Sequence, residues 1–117
     1  MDRRTMVSRM MAAGAAMGMG RVSVAGEDAK LVFRFHARDL HLVLAPSADG
    51  KPIRFRVSID GGWPSAAHGV DVDAQGDGLV TDARLYQLIR QTRAVEDHTF
   101  TIEFLDAGAR VFAFTFG

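Results

Sequence analysis

The sequence predicts an all-β fold, an antiparallel β-sandwich, and three observations carry that expectation. Beyond residue 30, apolar side chains recur with period two in several short runs, which sets one face of each run against a core. Glycine and aspartate cluster in the gaps between the runs, where tight hairpins need positive φ angles and local side-chain caps. Short strands at this spacing favour a sandwich or barrel over a parallel sheet fed by crossover helices.

The runs follow one another along the chain. Leu31, Phe33 and Phe35 alternate with Val32, Arg34 and His36, and turn residues occupy Pro46 to Gly50. Ile53, Phe55, Val57 and Ile59 alternate with Arg54, Arg56 and Ser58, and Asp60-Gly61-Gly62 ends that strand. A hairpin is expected next, with Val70 and Val72 pointing inward, the neighbouring aspartates solvated, and Gly76 and Gly78 making the turn. Thr81 and Asp82 ahead of Leu85, Tyr86, Leu88 and Ile89 suit a capped amphipathic helix, yet Leu85, Gln87 and Ile89 also alternate. A strand is the expectation there, because the segments on both sides are strands. Phe100, Ile102 and Phe104 alternate with Thr101 and Glu103; after Asp106-Ala107-Gly108, Phe112, Phe114 and Phe116 alternate with Ala113 and Thr115. The phenylalanines of these runs are expected to meet between two layers.

Composition narrows the function. At 117 residues the chain suits one domain, and a unit of that size hides roughly two thirds of its unfolded surface. Hydrophobic residues at 48% and charged residues at 24% are ordinary for a folded protein and argue against disorder. Fourteen basic residues balance fourteen acidic ones, so no overall charge draws the chain to nucleic acid or an anionic membrane. Cysteine is absent, which excludes thiol redox chemistry, disulfides and thiolate ligands.

The first 25 residues are of a different kind and hold all six methionines. Arg3, Arg4 and Arg9 precede an apolar run from Met10 to Met19, too short to span a bilayer but long enough for the core of an export signal. Ser23-Val24-Ala25 offers small residues to a signal peptidase, with cleavage before Gly26. The expected organisation is therefore a signal over 1–25 and a domain over 26–117, acting in the periplasm or elsewhere outside the cytoplasm. Arg3-Arg4-Thr5-Met6-Val7 resembles a twin-arginine signal, and Arg21 after the apolar run disfavours the general secretory route. The competing explanation is a misplaced start codon upstream of the domain. No later segment has the roughly twenty apolar residues of a membrane-spanning helix.

Four segments, in order, carry a family resemblance: Phe33 to Leu44, His68 to Asp73, Arg84 to Gln91, and Phe112 to Gly117. Together they resemble the C-terminal domain of DipZ-type proteins, which join a cytochrome c biogenesis membrane unit and a thioredoxin-like domain to a β-sandwich. The resemblance covers about residues 30 to 117. It implies a jelly-roll-like sandwich similar to carbohydrate-binding modules, held outside the cytoplasmic membrane beside a thioredoxin fold. The family's redox activity belongs to a Cys-x-x-Cys pair that this chain lacks, and does not transfer. Family members carry a longer lead-in before the segment at Phe33. Either Arg21 to Ala25 form that missing strand and are never removed, or the sandwich lacks an edge and is prone to association.

Candidate ligand-binding residues are Trp63, Tyr86, His36, His41, His68 and Arg84. Sugar-binding sandwiches stack aromatic faces on pyranose rings beside polar groups that read hydroxyls. Trp63, in Gly61-Gly62-Trp63-Pro64, is the best exposed platform on offer; the alternative is ordinary packing, with Tyr86 in the core and Trp63 as a loop lid. His36, Asp39 and His41 with His68 lack any recognised metal-ligand spacing and read better as a polar corner, so no metal or cofactor is expected. Asp71, Asp73, Gln75 and Asp77 alternate in a manner that suggests calcium ligands, without the glutamate that ends an EF-hand loop. No nucleophile turn of the G-x-S-x-G kind occurs, and catalysis is not expected. The function expected is a non-catalytic module for a carbohydrate or another cell-envelope ligand. The alternatives are a structural or docking domain for a separate thioredoxin-like oxidoreductase, or a fragment of a longer DipZ-like protein.

Overall fold

The computed structural model of the protein describes residues 5–7, 17–26 and 28–117. Its strands are β1 (Thr5–Val7), β2 (Met17–Ala25), β3 (Lys30–Phe35), β4 (Asp39–Ala45), β5 (Ile53–Ile59), β6 (Asp77–Val80), β7 (Arg84–Arg90), β8 (His98–Phe104) and β9 (Ala109–Phe116). A single 3-10 turn, Ser65–Ala67, interrupts the β5–β6 connection, and no α-helix occurs among the described residues. The segment over 84–90, legible as helix or strand, is a strand.

The pairings nest. β5 pairs with β6, β4 with β7, β3 with β8 and β2 with β9, all antiparallel, as if one long double ribbon were folded back at the β5–β6 turn. Successive pairs fall in opposite sheets, and the contacts β4–β9 and β5–β8 knit them into the orders β2-β9-β4-β7 and β3-β8-β5-β6. That rolled ribbon is the jelly-roll arrangement of the β-sandwich. β1 departs from it, adding in parallel to the free edge of β3.

The inner faces are those that the period-two pattern marks. Leu31, Phe33 and Phe35 of β3, Ile53, Phe55 and Val57 of β5, and Phe100, Ile102 and Phe104 of β8 are all buried. Leu40, Leu42 and Leu44 of β4 face them from the other sheet. The Phe33 ring meets Phe114 edge-on at 4.2 Å, joining β3 of one sheet to β9 of the other. Full burial of each such side chain contributes about 1.5–3 kcal/mol.

Two local expectations are corrected. Val43 pairs with Ala113 and Leu44 with Val111, so Phe112 is an extra residue in β9. The bulge reverses the phase of the strand: Ala109 and Val111 point inward before it and Phe114 after it, while Phe112 is only half-buried. The alternation of Phe112, Phe114 and Phe116 alone cannot reveal that inserted residue. The second correction is at Val70, which is 76% exposed, although Val72 is buried as expected. No hairpin strand forms at 70–72; the segment instead straps the free edge of β7, with the Gly69 amide donating to the Leu88 carbonyl at 2.9 Å and the Asp71 amide to that of Gln87 at 3.2 Å. Asp71 therefore turns inward, and Val70 turns out.

Candidate binding site at the loop end

One end of the sandwich gathers the β3–β4 corner, the long β5–β6 connection and the β7–β8 loop. The Gln91 amide donates to the Arg38 carbonyl at 2.7 Å, tying the first to the third. Asp60 and Gly61 hold φ of +51° and +82°, and Ile59 and Gly62 exchange two backbone hydrogen bonds at 2.9 Å each. This is the two-residue hairpin turn that an Asp-Gly pair favours. It throws the chain outward, so that Trp63 follows with 65% of its surface exposed. Pro64 then starts the 3-10 turn, in which Ser65 has a φ of +52°, unusual for a residue with a side chain.

Between this connection and the β7–β8 loop lies a cleft of about 530 Å³. Pro64 to Ala67 form one wall; Gln91 to Ala94, with Glu96, form the other, and His98 also lines it. Small side chains on the first wall, apolar except for Ser65, face carboxamide, hydroxyl and charged groups on the second. No ion pair engages Arg93 or Glu96 among the described residues.

Two histidine–carboxylate pairs hold the β7–β8 loop. His36 Nδ1 lies 2.8 Å from Asp97 Oδ1, and His98 Nδ1 lies 2.7 Å from Asp60 Oδ2. Asp60 also accepts the Thr99 amide at 2.8 Å; that bond first, and His98 second, hold its carboxyl below the ordinary carboxylate range. Arg34 donates to Thr99 Oγ1 at 3.0 Å and stands 4.0 Å from Asp97.

The six candidate residues are not brought together. Trp63 and His36 belong to the cleft end. His68 sits at the foot of the β5–β6 connection, its Nδ1 donating to the Gly69 carbonyl at 2.8 Å. His41 lies on the outer face of the four-stranded sheet, 3.3 Å from the Thr115 hydroxyl. Tyr86 has no exposed surface, and its hydroxyl accepts the Thr81 and Asp82 amides at 3.0 and 3.1 Å while donating to the Asp82 carbonyl at 2.8 Å. Arg84 stacks over that ring, its guanidinium carbon 3.8 Å from the centroid, and pairs with Asp71.

The alternating aspartates are engaged by the protein itself. Asp71 binds Arg84 and the Gln87 amide, Asp73 accepts the Gln75 and Asp77 amides at 2.9 Å each, and Asp77 accepts Arg56 Nε at 2.7 Å. No group of three or more histidines and acids able to hold a metal occurs among the described residues. The sequence reading missed the wall from Gln91 to Glu96. The available signal was the length of the run Gln91 to Asp97, longer than a tight turn needs.

A jelly-roll β-sandwich with a loop-end cleft, in a chain without cysteine, defines the class. The chain belongs to the family described as the thioredoxin-like C-terminal domain, whose model matches residues 16–117. Among solved structures it is similar to a family GH115 4-O-methyl-α-glucuronidase with specificity for decorated arabinogalactans, at 14% identity and a TM-score of 0.53. The match covers 88% of this chain and 16% of that enzyme, and shows the shared fold. A periplasmic inhibitor of g-type lysozyme from Salmonella Typhimurium matches over 88% of this chain and 99% of its own, at 14% identity and a TM-score of 0.26. A comparison with curated proteins finds no match.

Proposed function

We propose that this chain is a non-catalytic binding module of the DipZ C-terminal type, acting outside the cytoplasm and taking a carbohydrate of the cell envelope at the loop end. The observation that carries the reading is Trp63, 65% exposed and one residue before the wall of the cleft. An exposed indole offers a flat apolar face to a pyranose ring, and the neighbouring Gln91, Thr92 and Arg93 offer donors to its hydroxyls. The test is a glycan array on the full chain, with arabinogalactans among the probes. Specific binding that disappears in Trp63→Ala and weakens in Arg93→Ala supports the proposal. Sugar binding that survives both substitutions, or no glycan bound at all, defeats it.

A second reading rests on the family: a domain described as the C-terminal part of thioredoxin-like proteins suits docking to a thioredoxin-like oxidoreductase, on the same or a separate chain. Co-purification with such an enzyme, together with an unresponsive array, would favour it.

A further inference from the structure

We infer that residues 17–25 stay in the working protein as the first strand of the jelly roll, so that any proteolytic maturation takes place N-terminal to Met17 and not at the Ala25–Gly26 bond. The nested pairing is the reason. From β3 onward each ribbon partner is supplied by the chain after Lys30: β3 with β8, β4 with β7, β5 with β6. β9 alone takes its ribbon partner from before Gly26, pairing Met17 and Gly18 with Phe114 and Ala113, and Ser23, Val24 and Ala25 with Val111, Arg110 and Ala109. Ala25 and its partner Ala109 are both wholly buried, and the Gly108 amide donates to the Ala25 carbonyl at 2.8 Å.

Two consequences oppose cleavage before Gly26. A peptidase needs several residues on each side of the scissile bond in an extended, unpaired form, and here the residues before that bond are pinned against β9. Removal of the strand would also leave β9 with one open ladder along Ala109 to Phe114, a template for pairing with other chains. The family match begins at residue 16, one position ahead of β2, and so includes the strand in the matched domain.

Hydrogen exchange on the full chain, read by mass spectrometry, tests this whether or not the protein is exported. The expected result is that amides 23–25 exchange at least about 100-fold more slowly than in an unstructured peptide. Ala25→Asp, which forces a charge into a wholly buried position opposite Ala109, should raise exchange along β9 while β5 and β6 stay protected. Unprotected amides at 23–25 beside a protected β9 would overturn the inference. So would an intact mass, measured on folded protein recovered from the periplasm, that begins at Gly26.

Discussion

The Asp71 carboxylate joins Arg84 to the edge of β7: Oδ1 accepts Arg84 Nη2 at 2.9 Å, and Oδ2 accepts the Gln87 backbone amide at 2.7 Å. Burial alone would raise the Asp71 carboxyl, but the Arg84 guanidinium and the Gln87 amide outweigh it and hold it below the ordinary carboxylate value. Asp71→Ala should therefore cost more than Arg84→Ala, because it strips a partner from a backbone donor as well as from a side chain. We expect about 1–3 kcal/mol for the first and about 1 kcal/mol or less for the second. Urea unfolding of both variants checks the order, and equal losses would show that the Gln87 contact contributes little.

Tyr86→Phe keeps the buried ring and removes only the oxygen on which the β6–β7 turn closes. The Thr81 and Asp82 amides and the Asp82 carbonyl all lose their partner in that variant. A loss of about 1–3 kcal/mol is expected, without any change in binding at the cleft. A variant as stable as the parent would mean that water replaces the hydroxyl at no cost.

Most of the fold was written in the sequence, because period two and turn chemistry act locally. Asp60-Gly61 predicts its own turn, and Phe33, Phe55 and Phe100 declare their faces without reference to any partner. What stayed hidden depends on register between distant strands. Phe112 looks like its neighbours until β4 is laid beside it, and Val70 looks like Val72 until the strap meets β7. The candidate site was legible only at Trp63 and His36, since a cleft wall made of loop residues such as Thr92 and Arg93 has no periodicity to betray it.

Gly76 and Gly50 separate two kinds of glycine requirement. Both have positive φ, +89° and +83°. A Cβ on Gly50 would meet nothing within 4 Å, whereas one on Gly76 would overlap the Val57 carbonyl oxygen and stand 3.2 Å from Pro64 Cδ. Gly50→Ala should cost only the backbone strain, about 1 kcal/mol. Gly76→Ala must also push apart β5 and the β5–β6 connection, and a loss above about 4 kcal/mol or failure to fold is expected. Thermal unfolding of the pair decides it: similar midpoints would show that the connection relaxes freely.

Acid should weaken the fold at the far end, where Arg54 grips Asp106. Arg54 Nε and Nη2 donate to Oδ2 and Oδ1 at 3.0 and 2.8 Å, and the Arg54 amide adds a third bond at 2.9 Å. The guanidinium contact first, and the amide second, take the Asp106 carboxyl from its ordinary 3.8 down to about 2. A carboxyl whose value is lower folded than unfolded stabilises in full above about 3.8 and loses that contribution as pH falls toward about 2. Urea midpoints of the parent should thus drop between about pH 5 and about pH 2 more steeply than those of Asp106→Asn, which has no proton to take up. Both ends of the Arg54 grip are solvent-exposed in part, so added salt should shrink the difference. Parallel acid profiles in the two proteins would show that Asp106 is not among the groups whose protonation weakens the fold.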